Sequence, residues 1–427
     1  MALTQPGYRK RLIDEQIEKY LQAFGALCIE GPKWCGKTWT SLNHANSACY
    51  IASPENNFQN RTMAELSPDL VLHGESPRLI DEWQEVPALW DAIRFFVDQN
   101  RQRGQFILTG SATPSKKGIL HSGTGRIAII RMRSMSLFES GDSSGTISLN
   151  DLFSKPLTTH QTGEVSLDQL ISLTVRGGWP ATLGLSFDLA AILPYEYIKN
   201  VIEEDIRRID SVNRNSHKLM LLLKSIARNV STVVSNKTLL RDMQEDFGES
   251  INADTVTDYL NALNRLFILE DQPAYTPNLR SSVRIGKSAK RHFTDPSLAA
   301  ALLGSTSERL MNDLNTFGLL FESLCIRDLR IYSESFGARL FHYRDDYGRE
   351  IDAVIELSDG RWGAFEIKLG ANQIDKAAND LIAIKKFMET SSKSKAPELL
   401  CVICGMTNIA YTRPDGVLVI PITSLKN

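Results

Sequence analysis

The chain has 427 residues, a formal net charge of −2 and 42% hydrophobic residues. That length is too great for one hydrophobic core and calls for several domains. The near-zero charge excludes a global electrostatic argument for nucleic acid, leaving room for a local basic patch.

Six cysteines, at positions 28, 35, 49, 325, 401 and 404, form no dense framework, which fits a reducing compartment. Cys401 and Cys404 have CxxC spacing but sit in an apolar run with no second pair, so they read as core residues. No stretch approaches the roughly 18 apolar residues of a membrane span. The first eleven residues lack the apolar centre of a signal peptide. The expectation is a cytoplasmic protein that makes no membrane contact.

In chain order, Ala26-Leu27-Cys28-Ile29 reads as a short buried parallel strand. It runs into Gly31-Pro32-Lys33-Trp34-Cys35-Gly36-Lys37-Thr38, which matches G-x-x-x-x-G-K-[ST] without a mismatch. Backbone N–H groups of such a loop cradle phosphate oxygens, and the following helix adds its positive end. Lys37 would reach the outer phosphates and the Thr38 hydroxyl would ligate Mg²⁺. Leu79-Ile80-Asp81-Glu82 supplies two carboxylates at a strand end. Asp81 would hold the metal, directly or through water, and Glu82 would polarise the attacking water. The next strand, Gln105 to Ser111, ends in Thr109 and Ser111, candidates to sense the outer phosphate. Arg126, before the strand Ile127–Ile130, is the candidate to stabilise leaving-phosphate charge, either in cis or across the interface of a homo-oligomer.

These motifs, with Leu-Ile-Asp-Glu-Trp-Gln-Glu-Val-Pro and Phe-Ile-Leu-Thr-Gly-Ser, resemble a prokaryotic AAA+-type ATPase family. Its members carry an N-terminal AAA domain and a C-terminal DUF4143 domain. The resemblance continues through Gly177-Gly178-Trp179-Pro180 and Tyr197 to Asp205, and covers most of the chain. It implies ATP and Mg²⁺ as ligands and an α/β architecture. A P-loop parallel-sheet domain is followed by a helical region, a winged helix and an α/β nuclease-like end.

The Gly/Ser-rich break at 140–147 places the end of the ATPase domain near 150. Residues 151–213 read as a helical connector, 214–292 as the winged helix and 293–427 as the nuclease-like domain. Trp179 reads as a core anchor. In the third helix of the winged region, Val256, Leu260, Leu263 and Phe267 recur at helical spacing, with Asn252 or Asp254 as the cap. The hairpin after it carries Arg280, Arg284, Lys287, Lys290 and Arg291 without an acid. It could meet DNA phosphates, or be a solvated hairpin or a domain contact. Asp254 and Asp258 on the third helix oppose a recognition role.

Glu350 to Leu357 and Trp362 to Lys368 read as paired strands that bring Asp352 beside Glu366 and Lys368. Glu322, an acid in an apolar helix, could complete the group. The order Glu322, Asp352, Glu366-Ile367-Lys368 resembles the PD-(D/E)xK nuclease superfamily over about 315–405, except that Ile351 precedes Asp352 where that pattern has Pro. The resemblance implies Mg²⁺ or Mn²⁺ on Glu322, Asp352 and Glu366, with Lys368 acting on water. An inactive nuclease-like fold is the alternative. Three functions fit these residues: an ATPase coupled to a DNA-handling or nuclease module, a nucleotide-dependent switch or assembly protein, and a DNA-binding regulator.

Overall fold

Strand β1 (Ala26–Glu30) lies inside a parallel sheet, with apolar side chains on both faces. Ala26 and Cys28 point into one cluster with Leu89, Ile93 and Val97 of the helix Ala88–Asn100. Leu27 and Ile29 point into the other, with Ile17 of the helix Ile13–Ala23. A continuous apolar run is what a strand covered on both faces requires. The remaining strands are β2 (Ser47–Tyr50), β3 (Arg78–Asp81), β4 (Phe106–Gly110) and β5 (Ile127–Arg131), in the order β2-β3-β4-β1-β5. All are parallel, so their C-terminal ends gather on one edge. This computed structural model describes residues 2–113, 119–210, 212–246, 248, 250–276, 288–345, 347–390 and 395–427.

The chain leaves β5 and does not stop at residue 150. Strand β6 (Ile147–Ser148) pairs with β14 (Leu425–Lys426), and β7 (His160–Gln161) with β12 (Ile409–Thr412). The expected boundary therefore falls within a segment that the C-terminal strands already hold. Between Leu167 and Arg208 the chain is mainly helical, with a π-helical turn at Val201–Asp205. Trp179 is fully buried, as its reading as an anchor requires.

Three helices follow, Ser216–Arg228, Asn236–Arg241 and Ala253–Arg265, capped by the side chains of Asn215, Ser235 and Asn252. Asn252, not Asp254, is the cap of the third. Val256, Leu260 and Leu263 are buried on its inner face. Phe267 is buried too, beyond the helix end and at a φ of 57°. Antiparallel bridges Leu269↔Phe293 and Gln272↔Lys290 then close a hairpin, and Thr232↔Arg291 adds a third segment. Arg280, Arg284 and Lys287 lie outside the described residues.

The C-terminal unit begins with the long helix Leu314–Ser335. Its strands are β8 (Arg339–Arg344), β9 (Glu350–Glu356), β10 (Trp362–Gly370), β11 (Leu399–Met406), β12 and β13 (Leu418–Pro421). With β7 they form a sheet in the order β7-β12-β13-β11-β10-β9-β8. Strands β8, β9 and β10 are an antiparallel meander, and the helix Ile374–Thr390 crosses over to parallel β11. Cys401 and Cys404 are buried free thiols in β11. No helix among the described residues is long and apolar enough to cross a membrane.

The two halves meet closely at Gly178. Its carbonyl accepts from Met135 N at 2.6 Å. A Cβ there would lie 2.0 Å from the Met135 carbonyl oxygen. Because backbone cannot yield as a side-chain tip does, Gly178→Ala should destabilise the protein by about 2–3 kcal/mol. A lowered urea midpoint relative to wild type would show it.

Candidate functional site

The phosphate loop emerges from the C-terminal end of β1, and its glycines answer two constraints. A Cβ on Gly31 would stand 2.1 Å from the Met132 carbonyl oxygen, and Gly36 has a φ of +101°. Lys37 Nζ donates to the carbonyls of Gly31 (3.0 Å) and Pro32 (2.8 Å), which holds its ammonium across the loop. Thr38 Oγ1 donates to Asp81 Oδ1 at 2.9 Å, and Thr109 Oγ1 donates to the same oxygen at 2.6 Å. Burial raises the Asp81 pKa, against the pull of these hydroxyls. A hydroxyl and one carboxylate beside a phosphate cradle suit Mg²⁺, which is commonly bound by one or two carboxylates plus substrate phosphates.

Glu82 sits at φ 56° with its N–H on Thr109 Oγ1 at 3.1 Å. Its Oε2 accepts from Ser111 Oγ at 2.7 Å and from Gln84 Nε2. Ser111 thus orients the glutamate, a role that the reading as a phosphate sensor did not include. Cys35 is buried against the Met132 carbonyl. Lys33 and Trp34 line the cavity and also reach the helical region. Lys33 Nζ pairs with Asp205 in the π-helical turn, and Trp34 lies edge-on to Tyr197, which stacks on Trp179.

Arg126 is not at this site. The register Ala26↔Ile127 puts it beyond the N-terminal end of β5, on the edge opposite the loop, where it pairs with Asp98 at 2.7 Å. Five strand residues separate the edges, roughly 16 Å. Within its own chain it therefore does not reach the loop, because only the C-terminal ends of parallel strands meet the ligand; action across a homo-oligomer interface is a separate reading.

A cavity of about 1000 Å³ opens beside Lys37, Thr38 and Glu82. Its walls include Tyr8, Arg9, Pro180 and Leu183, which the sequence reading missed. Arg11 also borders it and is buried, donating to Cys35 O at 2.8 Å and pairing with Glu139 at 3.0 Å. Tyr8 Oη bonds to Asp14 and Thr40. The N-terminal segment is therefore a wall of the site. Its one sequence signal was an arginine and an aromatic side chain close before the first strand.

The C-terminal residues also meet. Pairing of β9 and β10 runs to Phe365↔Ala353, leaving Asp352 and Glu366 next along the two strands. Lys368 Nζ lies 2.6 Å from Glu366 Oε2 and 3.2 Å from Asp352 Oδ2. Ile367 N donates to Asp352 Oδ2 at 2.9 Å. Glu322 approaches from its helix, but not toward a metal. Lys290 Nζ stands between the two elements, 2.8 Å from Glu322 Oε1 and 3.4 Å from Asp352 Oδ1. Of the three readings of its hairpin, Lys290 fits the domain contact, since its side chain is only 5% exposed. Burial opposes its charge, yet Glu322 and Asp352 hold its pKa above the usual range. Burial also pushes Glu322 up to about 7 and Glu366 up to about 8, each helped by the charge of Asp352. Burial alone would raise Asp352 too, but Lys290 and Lys368 keep it low.

Among the described residues no three His, Cys, Asp or Glu side chains form a group that could hold a metal ion. Glu322, Asp352 and Glu366, as they stand here, are not such a group. The residues converge as the motif requires, but lysines take the positions facing the carboxylates. On the hairpin, Arg291 hydrogen-bonds Asn236 and lies 3.7 Å from Asp271. On the third helix, Asp258 pairs with Arg214.

Three family models match the chain: an AAA domain over residues 23–140, a domain of unknown function (DUF8612) over 167–309, and a domain of unknown function (DUF4143) over 317–425. Uncharacterized proteins of Mycobacterium bovis and Mycobacterium tuberculosis are each 24% identical over 360 residues, covering 83% of this chain and 72% of theirs. Among solved structures, the Walker-type ATPase PABY2304 of Pyrococcus abyssi aligns at 13% identity with a TM-score of 0.42, over 70% of this chain and 97% of that one. AMPPCP-bound DnaA from Aquifex aeolicus aligns at 14% identity with a TM-score of 0.27, over 59% and 86%. With its uninterrupted phosphate loop and its parallel sheet, the chain is a P-loop protein of the AAA type that carries a C-terminal DUF4143 domain.

Proposed function

We propose that the protein is an Mg²⁺-dependent ATPase whose nucleotide state sets the arrangement of its helical and C-terminal regions. The observation that carries this is the meeting of Lys37, Thr38, Asp81 and Glu82 at one sheet edge, beside an open cavity. Loop N–H groups and Lys37 would bind the phosphates. Thr38 and Asp81 would hold Mg²⁺, which neutralises charge on the phosphates. Glu82, steadied by Ser111 and Gln84, would take the proton of the attacking water. The route outward starts in the loop itself, since Lys33 and Trp34 touch Asp205 and Tyr197. A π-turn is uncommon and often marks a functional position, so Val201–Asp205 is the element to respond.

For the C-terminal region, DNA handling with cleavage is one reading and a non-cleaving, nucleotide-controlled interaction module is the other. Lys290 favours the second, because its ammonium faces the carboxylates that cleavage would need for metal. Single-stranded, double-stranded and branched DNA with Mg²⁺ or Mn²⁺, with and without ATP, should stay intact. Cleavage that disappears in Asp352→Ala would reverse that preference.

Lys37→Ala should reduce ATP hydrolysis by about 10²-fold or more. Glu82→Gln should lose about as much while still binding ATP. Radiolabelled phosphate release and filter binding separate these outcomes, and unchanged turnover in Lys37→Ala would sink the assignment. Asp205→Asn should retain hydrolysis. In hydrogen exchange, ATP should protect the helix Ile192–Asn200 of wild type, with the effect roughly halved in this variant.

The cluster also predicts a pH dependence. Glu366 titrates near 4.5 when unfolded and about 8 when folded, so the native state holds an extra proton between those values. Stability therefore falls as pH rises from about 4.5 to about 8. Urea denaturation at the two ends should show this in wild type, and Glu366→Gln should flatten the difference.

A further inference from the structure

We propose that Lys290 is a built-in cation that closes the Glu322–Asp352–Glu366–Lys368 cluster to divalent metal. The inference rests on neither ATP hydrolysis nor DNA binding.

The argument begins with where the ammonium stands. It bridges a helix carboxylate and a strand carboxylate, at 2.8 Å from Glu322 and 3.4 Å from Asp352. Mg²⁺ seeks oxygen ligands at about 2.0–2.1 Å, and an ion drawing on both carboxylates would need the same wedge of space. The other Asp352 oxygen is engaged as well, by Ile367 N and Lys368 Nζ. Three carboxyls face two ammoniums, so the lysines already offset all but one of the carboxyl charges.

The backbone fixes Lys290 there. Gln272 and Lys290 exchange both backbone hydrogen bonds, at 2.8 and 3.0 Å. The Gln272 side chain is buried and donates to the carbonyls of Phe341 and Asp352, both at 2.9 Å. Two residues on, buried His292 contacts Gln272 Oε1 at 3.2 Å and Ser323 Oγ at 3.4 Å. The hairpin is thus stitched to the strand that bears Asp352 and the helix that bears Glu322. A metal ion entering this arrangement would strand a buried ammonium, which is far costlier than a buried neutral group. Opening the site means withdrawing the Lys290 strand, so the hairpin acts as a latch.

The test uses full-length protein without nucleotide, titrated with Mn²⁺ and followed by the electron paramagnetic resonance of the free ion. Asp352→Asn should leave the wild-type Mn²⁺ stoichiometry unchanged. Lys290→Met should bind one more Mn²⁺ per chain than wild type and gain a Mn²⁺-dependent rise in Tm. Both gains should vanish in Lys290→Met/Asp352→Asn, and Lys290→Arg should behave as wild type. If Lys290→Met does not fold, Lys290→Gln, which removes the ammonium and keeps all three carboxyls, carries the same expectation. No additional Mn²⁺ in the folded lysine-free variant overturns the proposal. So does a wild-type Mn²⁺ site that Asp352→Asn abolishes.

Discussion

The structure depends on a buried band of charge just beyond β5. Arg133 binds Glu270 at 2.6 Å and Glu334 at 2.6 Å, and Arg330 binds the same Glu270 at 3.1 Å. Nearby, Arg327 joins Asp295 and Asp328, while Asp295 also accepts from Ser134 Oγ and Gly178 N. Burial opposes the charge of Arg133, but Glu270 and Glu334 more than compensate. Breaking one partner of such a buried network typically costs about 3–5 kcal/mol. The band therefore fixes the N-terminal parallel sheet, the hairpin and the long C-terminal helix as one assembly. The same stretch forms the back wall of the phosphate loop, since Met132 O lies against Gly31 and accepts from Cys35 Sγ.

The two polar sites are built on opposite principles. In the phosphate-loop site, Lys37 is held by weak carbonyl acceptors and Glu82 borders an open cavity, so its groups are oriented and still available. In the C-terminal cluster every charge already has a counter-charge inside the protein. Preorganised but unspent polarity suits catalysis. Internally satisfied polarity suits holding elements together, at a cost to any chemistry there.

Local patterns were legible in the sequence. The phosphate loop, Asp81-Glu82 and Glu366-Ile367-Lys368 each lie within one turn or strand, so spacing alone fixes their geometry. The Asn252 cap and the buried face of its helix follow from the 3.6-residue repeat. What spacing could not supply was pairing at long range. Lys290 sits among basic residues whose readings ran from DNA contact to domain contact; its partners, 32 and 62 positions away, decide for the domain contact. Strands β6 and β14 have two residues each, too few for any periodicity, and are joined from distant parts of the chain. Arg126, as a group acting within its own chain, failed for a different reason. Its strand was identified correctly, but which end of a parallel strand meets the ligand is a property of the sheet.

One element belongs to both the charge band and the cluster. Glu270, bound to Arg133 and Arg330, lies two residues before Gln272, which bridges Lys290. Glu270 N also donates to His292 O across the same hairpin. A shift of this hairpin away from the C-terminal sheet would pull on the salt bridges behind the phosphate loop and on the lysine between Glu322 and Asp352. Neither end can let go cheaply, because each would leave buried charge uncompensated. Such an element would yield at both ends together. That is the physical requirement for a switch rather than a flexible linker, since coupling between distant sites needs a discrete element that both of them bias.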